Sequence, residues 1–299
     1  MWPLCQSGQV DREHIVFERR PELHKPVVVM AVRGWNDAGE AASGATDWIK
    51  HQLSAHRFAH IDPEEFFDFQ VARPTVELVD GTTRRIDWPA NEFHYAKAGE
   101  RDIVLFSGLE PNLKWRTFAD SVVSVCREMG AERLVTVGAF LADVPHTKDV
   151  PVVGSASSAE EAASLGLSPS RYEGPTGIVG VTHDAANRAG LSSVSFWAAV
   201  PHYIPTGVNP KASLALVERL ASFLDIGLDT GALRPAADAW EQSVSDQVEE
   251  NETLSGYVHR LEASDADDFD VDAEPADGEA IADEIERFLE ERSGGTEGP

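Results

Sequence analysis

Cysteine is nearly absent from this chain, with only Cys5 and Cys126 among its 299 residues. Two cysteines cannot build a disulfide framework, and no C-x-x-C pair suggests a redox dithiol, so a reduced, cytoplasmic protein is expected. Cys126 falls in an apolar helical pattern and reads as core. Long apolar runs are missing too: nothing approaches the ~18 residues of a membrane span. The N-terminal MWPLCQSGQVDREH lacks the basic and apolar regions of a signal peptide. Bases are scarce, 25 Lys and Arg against 51 Asp and Glu, for a net charge of −26. Such a chain repels nucleic acid and anionic membrane unless it concentrates its bases. The nearest to a patch are the pairs Arg19-Arg20 and Arg84-Arg85. Neither nucleic acid nor membrane is therefore expected as a partner. There is no G-x-x-x-x-G-K-[ST] phosphate loop, no G-x-S-x-G elbow and no H-E-x-x-H. Gly174, Gly177 and Gly180 have the wrong spacing for a dinucleotide fingerprint. The sequence thus assigns no catalytic residue, no cofactor and no metal. Asp143, His146 and Asp149 in one loop are weak grounds for a metal site.

What is present is an alternation of buried strands and helices. Residues 27–32 (VVVMAV), 103–106, the apolar half of 133–150, 177–181 and 194–200 read as strands buried on both faces. Helices are expected over 38–53 (capped by Asn36 or Asp37), from 113 to 129, over 157–165 and 184–189, and from Asn209-Pro210 to 224. Ile15–Phe17 is a possible short strand. Residues 66–71, 75–79, 82–88 and 93–97 look like antiparallel strands, with Asp80-Gly81 as a hairpin turn. Alternating β and α elements imply a largely parallel sheet. The expected fold is α/β, a mainly parallel sheet flanked by helices, with an antiparallel hairpin insertion and a C-terminal helical extension.

The chain divides into an α/β core over residues 10–228, a helical extension over 229–262 and an acidic tail over 263–299. From Ala239 onward there are 20 acids and 3 bases, so most of the negative charge is C-terminal. The region 233–261 places Trp240, Val244, Gln247, Asn251, Leu254, Val258 and Leu261 at spacings of four and three. This is either an amphipathic helix lying on its own domain or one that pairs between subunits. Residues 263–280 read as disordered and 281–289 as a short amphipathic helix. The tail's role is either solubility or a tether for a basic partner.

In parallel sheets, ligands bind beyond the carboxyl ends of the strands. The residues that follow the expected strands therefore belong together: Arg33, Trp35 and Asp37; Glu110, Lys114, Trp115 and Arg116; Asp143, His146 and Thr147; His183 and Asp184; His202, Tyr203 and Asn209. Of these, Trp35, Asp37, Glu110, Trp115, Arg116, His146, Thr147, His202, Tyr203 and Asn209 are the binding candidates. His146 is the side chain that titrates near neutrality, but Pro145 beside it suits a rigid turn. Glu110, just before Pro111 at a helix start, suits capping as well as chemistry. Trp115 is either core or a stacking surface.

Six segments share a further likeness: GWNDAGEAAS (34–43), ARPTVELVDG (72–81), SGLEPNLKW (107–115), GAFLADVPHTKDVPVVGSAS (138–157), YEGPTGIVG (172–180) and WAAVPHYIPTGVNP (197–210). In this order they resemble the proteasome assembly chaperone 2 family, in its bacterial, actinobacterial-type branch. The resemblance spans about residues 10–262. It implies an α/β fold similar to that of nucleoside phosphorylases and nucleosidases. It also implies a chaperone-like role, since eukaryotic and archaeal members assist assembly of the proteasome α-ring. Some members dock between α subunits through a terminal hydrophobic–Tyr–X tail. This sequence ends Glu297-Gly298-Pro299, so that mode is not expected here. Bacterial members are sometimes labelled ligases, and no ligase motif is present. The leading expectation is a non-enzymatic, homo-oligomeric interaction protein with proteasome α subunits as partners. The alternative is a ligand-binding protein or enzyme using the cluster around His146 and Glu110.

Overall fold

In the computed structural model, residues 14–79, 81–167, 173–204 and 207–263 are described. Cys5 and the expectations for residues 264–299 lie outside them.

Four strands form the parallel centre: β1 (Val27–Arg33), β2 (Arg101–Leu109), β3 (Arg133–Ala142) and β4 (Ser192–Pro201), in spatial order β2-β1-β3-β4. Three registers fix them: Val27 lies opposite both Ile103 and Arg133, and Ser192 lies opposite Arg133. Antiparallel strands extend this centre on both sides. β5 (Asn91–Ala98) pairs with β2, β6 (His56–Ile61) with β5, and β7 (Ile15–Phe17) with β6. At the far side β8 (Val152–Ala156) pairs with β4. The sheet is thus mixed, with a parallel core of four strands among eight.

The continuous apolar run of β1 is explained by the two layers around it. Side chains alternate across a strand, so Val27, Val29 and Ala31 face one helical layer and Val28, Met30 and Val32 the other. The first layer holds α1 (Ala41–Gln52) and α5 (Pro210–Leu224); the second holds α2 (Trp115–Glu128) and α4 (Ile178–Arg188). Cys126 is buried in the second layer, as expected, and burial pushes its thiol up to about 12. α3 (Ala159–Ser164) packs beside β8.

Several expected elements take another form. Residues 177–181 are not a strand. They open α4, whose buried Ile178, Val179, Thr182, Ala185 and Ala186 follow a helical repeat that a five-residue window cannot show. The separate helix at 184–189 is the end of that same helix. Residues 66–71 are not a strand either. They follow a 3-10 turn at Pro63–Glu65, and the N–H groups of Phe66 and Phe67 both donate to Pro63 O (3.0 and 3.1 Å), so the backbone continues the turn instead of joining a ladder. β6 hides its alternation behind a register shift between Arg57 and Ala59. The expected hairpin is present as β9 (Thr75–Val79) and β10 (Thr83–Asp87), a two-stranded sheet of its own, with Gly81 in the left-handed region at φ +71°.

The helical region 233–261 is two helices: α6 (Leu233–Glu249) and α7 (Glu252–Ala263). α6 packs on α5 and α7 on α6. Val244, Val248 and Val258 gather with Tyr203, Ile204, Trp240 and Leu254. The apolar stripe therefore lies on its own chain.

Gly138 on β3 sits under Trp197 of β4, and a Cβ there would lie 2.4 Å from the indole ring. Gly138→Ala is expected to destabilise the fold by about 1–3 kcal/mol through overpacking, read as a lower urea midpoint. In a Trp197→Leu background the penalty should shrink; an equal penalty in both backgrounds would exclude the ring contact as its cause.

Candidate functional site

The structure sorts the strand-end candidates into two groups and sets some apart. His183 and Asp184 leave the set, because the segment before them is helix α4; His183 instead lies near Ser193, 3.4 Å away. Asp37 and Asn209 are helix caps. Asp37 Oδ1 accepts from the N–H groups of Ala42 (2.8 Å) and Ser43 (3.1 Å) at the start of α1. Burial raises its pKa despite those bonds. Asn209 Oδ1 accepts from Ala212 N (2.9 Å), as the Asn-Pro start implied. Arg116 is exposed on the first turn of α2.

The first group lies at the ends of β1 and β2. Glu110 Oε1 accepts from Asn36 Nδ2 and from Ile178 N, both at 2.9 Å, and its Oε2 accepts from Trp35 N at 3.1 Å. One carboxylate thus joins the exits of two strands to the first N–H of α4, a favoured place for negative charge. Gly34, at φ +134°, makes the close approach possible: a Cβ there would lie 2.8 Å from that of Glu110. Beside this junction is an open cleft of about 470 Å³, lined by Phe67, Ala72, Leu109, Pro111 and Trp115. Trp115 is partly buried, with Nε1 donating to Pro111 O at 2.6 Å, so it is both wall and core. Trp35 and Leu113 are exposed nearby, as are Val71 and Trp88; Trp88 meets Phe69 edge-on.

The second group lies at the ends of β3 and β4, beneath α6 and α7. His146 is only 3% exposed. Its Nδ1 is 2.9 Å from the Tyr203 hydroxyl, and its Nε2 is 3.0 Å from Ser245 Oγ on α6. Its backbone N–H donates to the same hydroxyl at 2.8 Å. Thr147 Oγ1 donates to Glu262 Oε1 of α7 at 2.5 Å. Asp143 accepts from the Tyr257 hydroxyl and pairs with His202 Nδ1, each at 2.9 Å. Lys211 Nζ donates to the carbonyls of His146 (2.7 Å) and Lys148 (2.8 Å) and to Glu241 (2.5 Å). Burial lowers the His146 pKa against the pull of Glu241, and burial pushes the Tyr203 hydroxyl up to about 12. These groups bond to one another and to the C-terminal helices, which leaves little polar capacity for a ligand. Among the described residues no set of three His, Cys, Asp or Glu side chains is placed to hold a metal. No described helix is long and apolar enough to cross a membrane.

Sequence reasoning passed over Asn36 as a bonding partner, and Lys211, Glu241, Ser245 and Tyr257 entirely. Lys211 carried a signal. A lysine in the first turn of a helix opposes the helix dipole, so a tertiary anchor was the reason to look for.

The comparisons with known proteins agree with this architecture. The PAC2 family model matches residues 31–248, and the chain belongs to that family. Among solved structures, a Mycobacterium tuberculosis proteasome-assembly chaperone homologue is 44% identical, with 78% of this chain and 99% of that one covered and a TM-score of 0.72. A PAC2 family protein from Streptomyces avermitilis is also 44% identical, with the same coverage and a TM-score of 0.74. Pyrococcus furiosus PbaB, an archaeal proteasome activator, shares the fold at 18% identity, with 78% of this chain and 97% of that one covered and a TM-score of 0.65. No curated protein sequence matches the chain.

Two outcomes follow from the site. Glu110→Ala leaves three donors unpaired and should cost about 2–4 kcal/mol of stability; Glu110→Gln, which keeps one acceptor, should cost less. Equal urea midpoints for wild type and Glu110→Ala would refute the junction. His146, His94 and His183 all have pKa values lowered by burial. The unfolded chain then binds protons first, so stability is full above the ordinary histidine value of 6.5 and falls as pH drops below it toward the folded values. Unfolding free energy measured from pH 7.5 to 5 should decline, with a shallower slope in His146→Gln.

Proposed function

We propose that the chain is a non-enzymatic, chaperone-like interaction protein whose clients are proteasome α subunits. The supporting observation is the contrast between its two strand-end groups. The polar one is consumed by internal hydrogen bonds, and the apolar one stands open with Trp35, Leu113, Val71 and Trp88 exposed around a cleft. An exposed apolar patch of that kind marks a protein–protein surface more often than a small-molecule site. Family relatives described as proteasome-assembly chaperone homologues supply the class of client. The reading places the protein in the cytoplasm, in keeping with its two cysteines. It includes a homo-oligomer, for which the uncovered face of the β9–β10 hairpin is a better surface than α6 and α7.

Affinity purification of the tagged chain from its native cell, followed by mass spectrometry, should recover proteasome α subunits. Leu113→Asp should reduce that recovery about tenfold, and deletion of the gene should leave α subunits unassembled. Recovery of no α subunit together with normal assembly after deletion would overturn the reading.

A further inference from the structure

At the opposite end of the strands from both groups of candidates lies a cavity of about 520 Å³, within the ~300–1,000 Å³ range of ligand pockets. Val27, the first residue of β1, lines it between two arginines that open the neighbouring strands, Arg101 on β2 and Arg133 on β3. Val27 lies opposite both Ile103 and Arg133. Side chains alternate along a strand, so Arg101 shares the face of Ile103, and Arg133 that of Val135, which is the face α5 covers. A third arginine, Arg219, is on α5, where Ser222 and Phe223 also line the cavity. Leu165, at the end of α3, lines it from another side.

The three guanidinium groups are not equally committed. Arg133 pairs with Glu161, donates from Nε to Ser192 Oγ at 3.1 Å and lies over the Phe223 ring. Arg219 stacks on Phe196, 4.9 Å from the ring centre, and donates from Nη2 to the Leu165 carbonyl at 3.1 Å. Its buried Nε has no acceptor. Neither Arg219 nor Arg101 has an ion-pair partner among the described residues. Carboxylates are present at this end: Glu132 lines the cavity and Glu100 precedes Arg101. Both are exposed, and neither pairs with these arginines. What sets Arg101 and Arg219 apart is therefore unspent donors rather than net charge.

Two guanidinium forks lining one space, one from the sheet and one from a helix, favour one kind of anion. A planar carboxylate is filled by a single fork, whereas a tetrahedral phosphate ester offers three terminal oxygens that two forks can share. The hydroxyl of Ser222 adds a donor type that phosphate accepts. Leu165 and Phe223, both half-buried, give the cavity an apolar side for the organic part of such a molecule.

We infer that this cavity is a binding site for a small phosphomonoester, its phosphate held between the guanidinium groups of Arg101 and Arg219 and its organic part against Leu165 and Phe223. The site lies at the other end of the strands from the cleft offered to a client. It is tested on the isolated chain and stands or falls apart from the chaperone reading.

Isothermal titration calorimetry on the full chain reads it, with phenyl phosphate as probe and inorganic phosphate and benzoate beside it at matched ionic strength. Phenyl phosphate should bind at one site per chain, at least about fivefold tighter than inorganic phosphate and about tenfold tighter than benzoate. Arg101→Gln should weaken phenyl phosphate at least about tenfold through the loss of charged hydrogen bonds. Arg219→Lys, which keeps the charge but not the fork, should weaken it to a similar degree. Arg101 makes no ion pair, so Arg101→Gln should keep the wild-type urea midpoint, which separates lost binding from lost folding. Arg73→Gln, at the other end of the molecule's strands, should bind as wild type does. No saturable heat with phenyl phosphate up to about 10 mM, or equal affinity in wild type, Arg101→Gln and Arg219→Lys, would overturn the inference. Benzoate binding as tightly as phenyl phosphate would overturn the phosphate assignment in favour of a carboxylate.

Discussion

The carboxylate of Glu110 accepts hydrogen bonds from Trp35, Asn36 and Ile178, and the carboxyl edge of the sheet is arranged around those three bonds. They bring together the exits of β1 and β2 and the entry of α4, elements far apart in sequence. The turn that delivers Trp35 and Asn36 also places Asp37 over the start of α1 and lets Asn36 O accept from Ala139 N of β3. Five elements thus take their relative positions from one loop, and that loop takes its position from one anion. The arrangement is economical because the charge is met by donors that would otherwise lack partners: two backbone N–H groups, one of them at a helix start.

Much of this was legible in the sequence. The apolar runs of β1, β2, β3 and β4 were long and β-branched enough to read as doubly buried strands, and Asn209-Pro210 announced the start of α5. The failures share a cause. At 66–71 and 177–181, a short apolar window was judged without its neighbours, and both periods fit a window of five or six residues. In α4 the second turn, Thr182 to Ala186, settles the matter. In β6 a bulge at Phe58 broke the alternation that would have revealed the strand. At the site, the sequence set His183 and Asp184 after a strand that is in fact helix α4, and it could not tell one edge with two characters from one continuous site. That difference depends on α6 and α7, whose contacts with His146, Thr147 and Asp143 span about a hundred residues of sequence and leave no local pattern.

The two ends of the chain's chemistry are kept apart by geometry as well as charge. α6 and α7 cover the ends of β3 and β4 with Ser245, Glu241, Tyr257 and Glu262, while the ends of β1 and β2 are left with an open cleft walled by Phe67, Leu109, Pro111 and Trp115 beside Arg33 and Glu110. Lys211 fastens the boundary, since its three acceptors come from the His146 loop and from α6. Burial in that cover holds the His146 pKa below the ordinary histidine value.

The sheet's outer strands have a consequence for life at high concentration. β7 is three residues long and β8 five, while the central strands β3 and β4 run to ten. An outer strand of three residues offers almost no row of free N–H and C=O groups for another molecule to continue. Cross-molecular growth at the β7 edge therefore has little to start from. At that edge the sheet offers a second chain little backbone to copy.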